Sequence, residues 1–185
     1  MKHSKLIVVI FALTIIFFGC SKDNTQLAEP EQVPGMVDST QTNFTGRSDF
    51  VVHIYPGDTT FLRDGVILVK GSKSEWYEDA LSCWEITGRS FWTVNQLIYP
   101  DGNAKLWGKA EILVDCDKGQ GKWELSWNGI LTPTKYPDGI KIVAFAHGFG
   151  KEGIVKGKVG KWTYTMKFDH NDPTTFFYTS EGYFK

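Results

Sequence analysis

The chain lacks an excess of charge. It holds 20 Lys and Arg against 21 Asp and Glu, a formal net charge of −1, and the two signs are interspersed. That speaks against a general nucleic-acid binder or a protein held to anionic lipid by charge, since either needs a basic patch. Metal-ligand spacing is lacking too. There are three Cys and four His, and neither Cys83 nor Cys116 has a His or second Cys at zinc spacing, so no metal or other cofactor is expected. The glycine-rich run His147–Gly153 opens no helix, which excludes a phosphate cradle of the usual kind. No Gly-x-Ser-x-Gly elbow occurs. Beyond Thr25 no segment sustains a helical period, and Ala and Leu are scarce.

What the chain has instead is aromatic residues and glycine. Aromatics make up 15% of it, with seven Trp, and there are 19 Gly. This is a β composition. The pass from "FVVHIY" at Phe50 to the final "TFFYTSEGYFK" reads as strands punctuated by turns, of which Pro100-Asp101-Gly102-Asn103 is the clearest. Bulges are expected at Asp64-Gly65 and at Gly88, and "SEWYEDA" fits either a strand end or one helical turn. The fold expected is all-β: an antiparallel up-and-down β-barrel of roughly eight to ten strands. A meander that long leaves two unpaired edges unless it closes, and closure favours the barrel over the alternative, a β-sandwich.

The amino terminus has its own organisation. Met1–Lys5 is short and basic. Leu6–Phe18 is apolar apart from Thr14, about 13 residues, too short for the ~20 of a spanning helix and suited to an export signal. Gly19 and Cys20 follow. This layout resembles a bacterial lipoprotein signal, with Phe17 and Phe18 departing from the Leu and small residue usual before the Gly-Cys pair. The resemblance implies that residues 1–19 are a signal peptide and that Cys20 is lipidated. It also implies an outer-membrane anchor facing the periplasm or the cell surface, because Ser21 rather than Asp follows the cysteine. Thr25–Asp49 is polar and without period, so residues 20–49 are expected to be a flexible tether and 50–185 the barrel domain. Cys83 and Cys116 remain; register about the Pro100 turn places Cys116 opposite the Thr87 region, and a disulfide between the two stays open.

Two strands announce an inward face. Trp123, Leu125 and Trp127 alternate after Gly121-Lys122, and Trp162, Tyr164, Met166 and Phe168 alternate after Gly160-Lys161. Trp107-Gly108-Lys109, Gly121-Lys122-Trp123, Trp127-Asn128-Gly129 and His147-Gly148-Phe149-Gly150, following the Pro100 turn in this order, resemble small bacterial barrels of the allene oxide cyclase and dirigent type over roughly Phe61–Phe184. The resemblance implies a barrel with an apolar axial cavity. In plant members such a cavity takes oxidised fatty acids or phenolic radicals for cyclisation or coupling; no residue here aligns with a catalytic position of those enzymes.

Candidate ligand-binding residues are Trp123, Trp127, Phe145, His147, Trp162 and Tyr164. His147 shares a strand face with Val143, Phe145 and Phe149. An inward face would carry an imidazole base into the cavity; the plainer reading is a hydrogen-bonded core or rim histidine. Glu85, Glu111 and Glu124 lie mid-strand, with Glu124 pointing out and Glu111 solvated. Asp169, His170 and Asp172 form a weak metal-binding possibility in a loop. Trp76, Trp84, Trp92 and Trp107, if outward, would stack on sugar rings; ordinary core packing is the alternative. The leading function is binding of a small apolar or amphipathic ligand in the barrel. The alternatives are an isomerase or cyclase acting on such a ligand, and a surface module that binds glycan or protein.

Overall fold

The computed structural model describes residues 41–134, 139–168 and 176–185. The signal segment, Cys20 and most of the expected tether lie outside them, as do Asp169, His170 and Asp172. Nine strands occur among the described residues: β1 Thr42–Tyr55, β2 Asp58–Phe61, β3 Ile67–Asp79, β4 Gly88–Ile98, β5 Ala104–Cys116, β6 Gly119–Pro133, β7 Ile140–Gly153, β8 Val159–Phe168 and β9 Phe176–Phe184. Every neighbouring pair is antiparallel.

β1 turns this sheet into a ring. Its first half pairs with β9, from Thr42 opposite Phe184 to Asp49 opposite Phe177. Its second half pairs with β3, from Arg47 opposite Asp79 to Tyr55 opposite Lys73. The strands β1 and β3 to β9 therefore close on themselves, and β2 extends the pairing along the far end of β3. Closure satisfies the edge groups a meander would leave bare.

Strand one begins earlier than composition suggests. Residues 42–49 read as tether, yet they form a paired strand. Their inward positions are Phe44, Gly46 and Ser48, and two of those three are small or polar, so the apolar alternation that marks a strand is muted. Asp64 and Gly65 do not bulge a strand; they sit in a 3₁₀ turn, Arg63–Gly65, that separates β2 from β3. Gly88 is the first residue of β4, after a second 3₁₀ turn, Trp84–Ile86. Glu85, expected mid-strand, lies in that turn. "SEWYEDA" resolves as the end of β3. The Pro100 turn closes as expected: the Tyr99 amide donates to the Asn103 carbonyl at 2.9 Å, and Asp101 Oδ1 accepts the Asn103 amide at 2.9 Å. Gly102 there has φ 83, a conformation that glycine adopts without Cβ strain.

The inward face has a large-against-small pattern. β6 and β8 send in Trp123, Leu125, Trp127, Trp162, Tyr164 and Met166, all buried. β7 answers with Ala144, Ala146, Gly148 and Gly150, also buried. A Cβ on Gly148 would lie 2.4 Å from Trp162 Cη2. Gly148 thus makes room for indoles.

Candidate functional site

The two ends of the ring differ. At one end Phe44, Trp123, Trp162 and Phe184 stack with centroids 5.6 to 6.2 Å apart. Ile112, Val114, Ile86 and Val155 close over them, with Trp123 and Val155 at 0% exposure. The Trp84–Ile86 turn plugs this end: the Glu85 carbonyl accepts the Trp123 indole N–H at 2.8 Å, and its carboxylate pairs with Lys158.

Toward the other end several inward residues remain partly exposed, while Val69, Ala104 and Leu106 beside them are buried. Trp92, Val94, Gln96 and Ile98 on β4, Leu131 on β6, Ile142 on β7, and Phe176 and Tyr178 on β9 are all half-buried. Trp76 is half-buried too and makes edge contacts with Phe50 at 5.2 Å, Phe176 at 5.8 Å and Tyr178 at 5.2 Å. Deeper in, Trp92 meets Tyr164 at 5.0 Å and Trp127 at 5.4 Å.

Between the two ends sits Glu78, 2% exposed. Register places it directly opposite Ser48 on β1 and Gly88 on β4. Ser48 Oγ donates to one carboxyl oxygen, Oε2, and Ser90 Oγ donates to the other, Oε1, at 2.6 Å. The Trp92 indole N–H donates to Ser90 Oγ at 2.9 Å, so the network runs from the carboxyl to the half-open rings. Burial pushes the Glu78 carboxyl above the ordinary range; the hydrogen bonds from Ser48, Ser90 and Trp92 oppose that, and the charge of Asp49 adds to it. Tyr164 is raised well above the usual phenol by burial and then by Glu78, and Tyr178 is raised by burial. The Trp127 indole N–H is buried without a hydrogen-bond partner among the described residues.

The sequence-predicted residues divide. Trp123, Trp127, Trp162 and Tyr164 all point inward, but Trp123 and Trp162 belong to the sealed end and only Trp127 and Tyr164 border the half-open part. Phe145 and His147 do not line the interior. They lie on the outer face of β7, with Phe145 54% exposed and the His147 ring against Phe149 at 4.9 Å. Strand alternation decides this: Ala144, Ala146 and Gly148 take the inward positions, so their neighbours must face out. Trp76 and Trp92 face inward, whereas Trp84 and Trp107 are exposed outside, so only the latter two remain for a sugar-stacking role. Glu111 and Glu124 face out and pair with Lys122 at 3.1 Å and Lys151 at 3.3 Å. Cys83 and Cys116 are free thiols, the second donating to the Gly119 carbonyl at 3.6 Å. Among the described residues no cluster of three His, Cys, Asp or Glu could hold a metal ion.

Glu78, Trp76, Trp92 and Tyr178 are the site residues that sequence reasoning missed or misplaced. A signal existed for Glu78. In Lys73–Ala80 the set Lys73, Glu75, Tyr77, Asp79 is the more polar face, which sends Ser74, Trp76, Glu78 and Ala80 inward.

No family model, curated protein or solved structure matches this chain. The fold is that of an all-β, barrel-like domain with a closed ring of antiparallel strands, one sealed end and one half-open aromatic end.

Proposed function

We propose that this barrel binds a small amphipathic molecule, taken in at the half-open end with its polar group directed toward Glu78. The observation that carries the reading is the difference in burial along one continuous inward face. Ser90 is fully buried, while Trp92, Val94, Gln96 and Ile98, successive inward residues of the same strand, are all partly exposed. Accessible aromatic and branched side chains on the inner wall of a closed sheet suit an apolar ligand body. The serine-bound carboxyl suits a polar head. The ring topology also supports the resemblance to barrels of the allene oxide cyclase and dirigent type.

The enzyme alternative gains one specific observation. Glu78 is an internal carboxyl held by two hydroxyls, with its acidity weakened by burial, as a general acid or base in an isomerase-type reaction would be. We also read Cys20 as the acylated first residue of a membrane-anchored protein, supported by the Leu6–Phe18 run and the Gly19-Cys20 junction.

Mass spectrometry of the purified protein under native and denaturing conditions tests the binding reading. A reproducible extra mass lost on denaturation is expected, and extraction then names its chemistry. A bare native mass, unchanged after incubation with a panel of apolar and amphipathic molecules, overturns it. Turnover of the extracted molecule that vanishes in Glu78→Gln, with binding retained, would select the enzyme. For the anchor, Cys20→Ser is expected to abolish incorporation of labelled fatty acid; undiminished labelling sinks that reading.

A further inference from the structure

Resting on the binding reading above, we infer that the ligand carries a positive charge: an apolar molecule with an organic ammonium group, set among the rings of Trp76, Trp92, Tyr164 and Tyr178 on the Glu78 side of the barrel.

Glu78 is held from two neighbouring strands. Both of its oxygens accept hydrogen bonds, one from Ser48 and one from Ser90. Two hydroxyls at the two oxygens serve both states of the acid: both donate to an ionised carboxylate, and one accepts from a protonated carboxyl. A buried carboxylate also needs a cation, since desolvation without a counter-charge is costly. None of the described residues places one on Glu78. Among the described residues the buried polar side chains are Ser48, Ser72, Ser74, Glu75, Glu78, Ser90 and Ser180, with no Lys, Arg or His. Glu75 is on the outer face, where Arg89 covers it at 2.6 Å. Lys158 is engaged by Glu85 at the sealed end.

The groups around Glu78 from each packed strand are accounted for. β1 brings Asp49, whose negative charge opposes ionisation, and Arg47, which is turned to Asp49 at 2.7 Å and lies over the Phe177 ring. Arg89 of β4 points outward to Glu75. β8 brings Tyr164 and β9 brings Tyr178, both phenols held neutral by burial. The neighbours of Glu78 on β3, Tyr77 and Asp79, face out. Hydroxyls able to donate to a carboxylate are in place, and among the described residues no cation reaches it.

The rings complete the recognition. Trp92 touches Tyr164 at 5.0 Å, Tyr164 meets Tyr178 at 6.5 Å, and Tyr178 touches Trp76 at 5.2 Å, forming a chain of π-systems that runs from beside Glu78 to the half-open end. Aromatic faces attract ammonium groups most strongly when water is excluded. An anionic head would meet the Glu78 carboxyl, on which none of the described residues places a cation. Binding the cation ionises Glu78, whose proton leaves to solvent.

The test uses the purified full chain and three probes of one chain length: decylammonium, decanol and decanoate. Binding is read by tryptophan fluorescence and by calorimetry in two buffers of different ionisation enthalpy. Decylammonium is expected to bind at least about tenfold tighter than decanol, with decanoate weakest, and to release a proton that decanol does not. Glu78→Gln is expected to bring decylammonium down to the decanol level while decanol is unaffected. The wild-type series and the proton count stand even if that variant fails to fold. Decanol binding as tightly as decylammonium, or no proton release, overturns the ammonium inference and leaves the binding reading standing. Absence of binding by all three probes overturns the inference, and a bare native mass in the experiment above then removes the binding reading as well.

Discussion

The two ends of the barrel are built from the same kinds of residue and reach opposite outcomes. At the sealed end Trp123, Trp162 and Phe184 pack against one another, the Trp84–Ile86 turn caps them, and a backbone carbonyl satisfies the Trp123 indole. At the other end Trp76, Trp92 and Tyr178 are equally large, yet they remain half-exposed. The inward positions beside them are small: Ser74 pairs with Trp92 across adjacent strands and takes the Trp76 indole N–H, and Ser72 follows on the same strand as Trp76. Aromatic content alone does not fill a barrel. Filling depends on a plug and on where the small residues fall.

The largest expected effect breaks the sealed end. Trp123→Ala leaves a cavity where exposure is zero and orphans the Glu85 carbonyl. It is expected to cost about 3–5 kcal/mol, measured by urea denaturation. Trp92→Ala at the half-open end is expected to cost visibly less; equal costs would mean that the two ends do not differ.

Overpacking probes the same contrast from the other side. Gly148→Val drives side-chain atoms into Trp162, whose Cη2 already lies 2.4 Å from the position a Cβ would take. A loss of about 1–3 kcal/mol is expected. A neutral outcome would show that the Trp162 indole has room to move.

Glu78 sharpens the comparison through pH. Its folded-state carboxyl is raised, so the folded protein holds that proton more tightly than the unfolded chain. The stability linked to it is fully present below the unfolded carboxyl's pKa and is lost as pH rises through the raised folded value. Thermal melts across that window are expected to show a decline in the wild type that flattens in Glu78→Gln. A decline unchanged in the variant would assign it to other groups.

The smallest expected effect is at Trp127. Trp127→Phe removes a buried N–H that has no partner, so the desolvation gain offsets the lost packing. A net change under about 1 kcal/mol is expected. A loss of several kcal/mol would mean that the indole N–H is satisfied by a water or ligand.

Much of the fold was legible in the sequence. The alternation of Trp123, Leu125 and Trp127, and of Trp162, Tyr164 and Met166, gave their inward face correctly, because strand geometry maps period two onto sides without reference to anything distant. The Pro100 turn and the register behind it were legible for the same local reason. The start of β1 at Thr42 was not. Its inward Gly46 and Ser48 look like linker residues until Glu78, thirty positions along the chain, turns out to lie opposite.

The side assigned to β7 needed the assembled sheet as well. Ala144 and Phe145 alternate without stating which faces in, and hydrophobicity favours the wrong answer. The bulk of Trp162 and Trp123 on neighbouring strands decided it, because only the Ala and Gly face leaves space for two indoles. The sequence by itself determined an all-β chain, its turns and the inward faces of two strands, since those follow from local periodicity and backbone preference. Only the tertiary structure decided which ring end is sealed and that Glu78 lies inside between two serines, because both depend on residues that meet only when β1 closes the barrel.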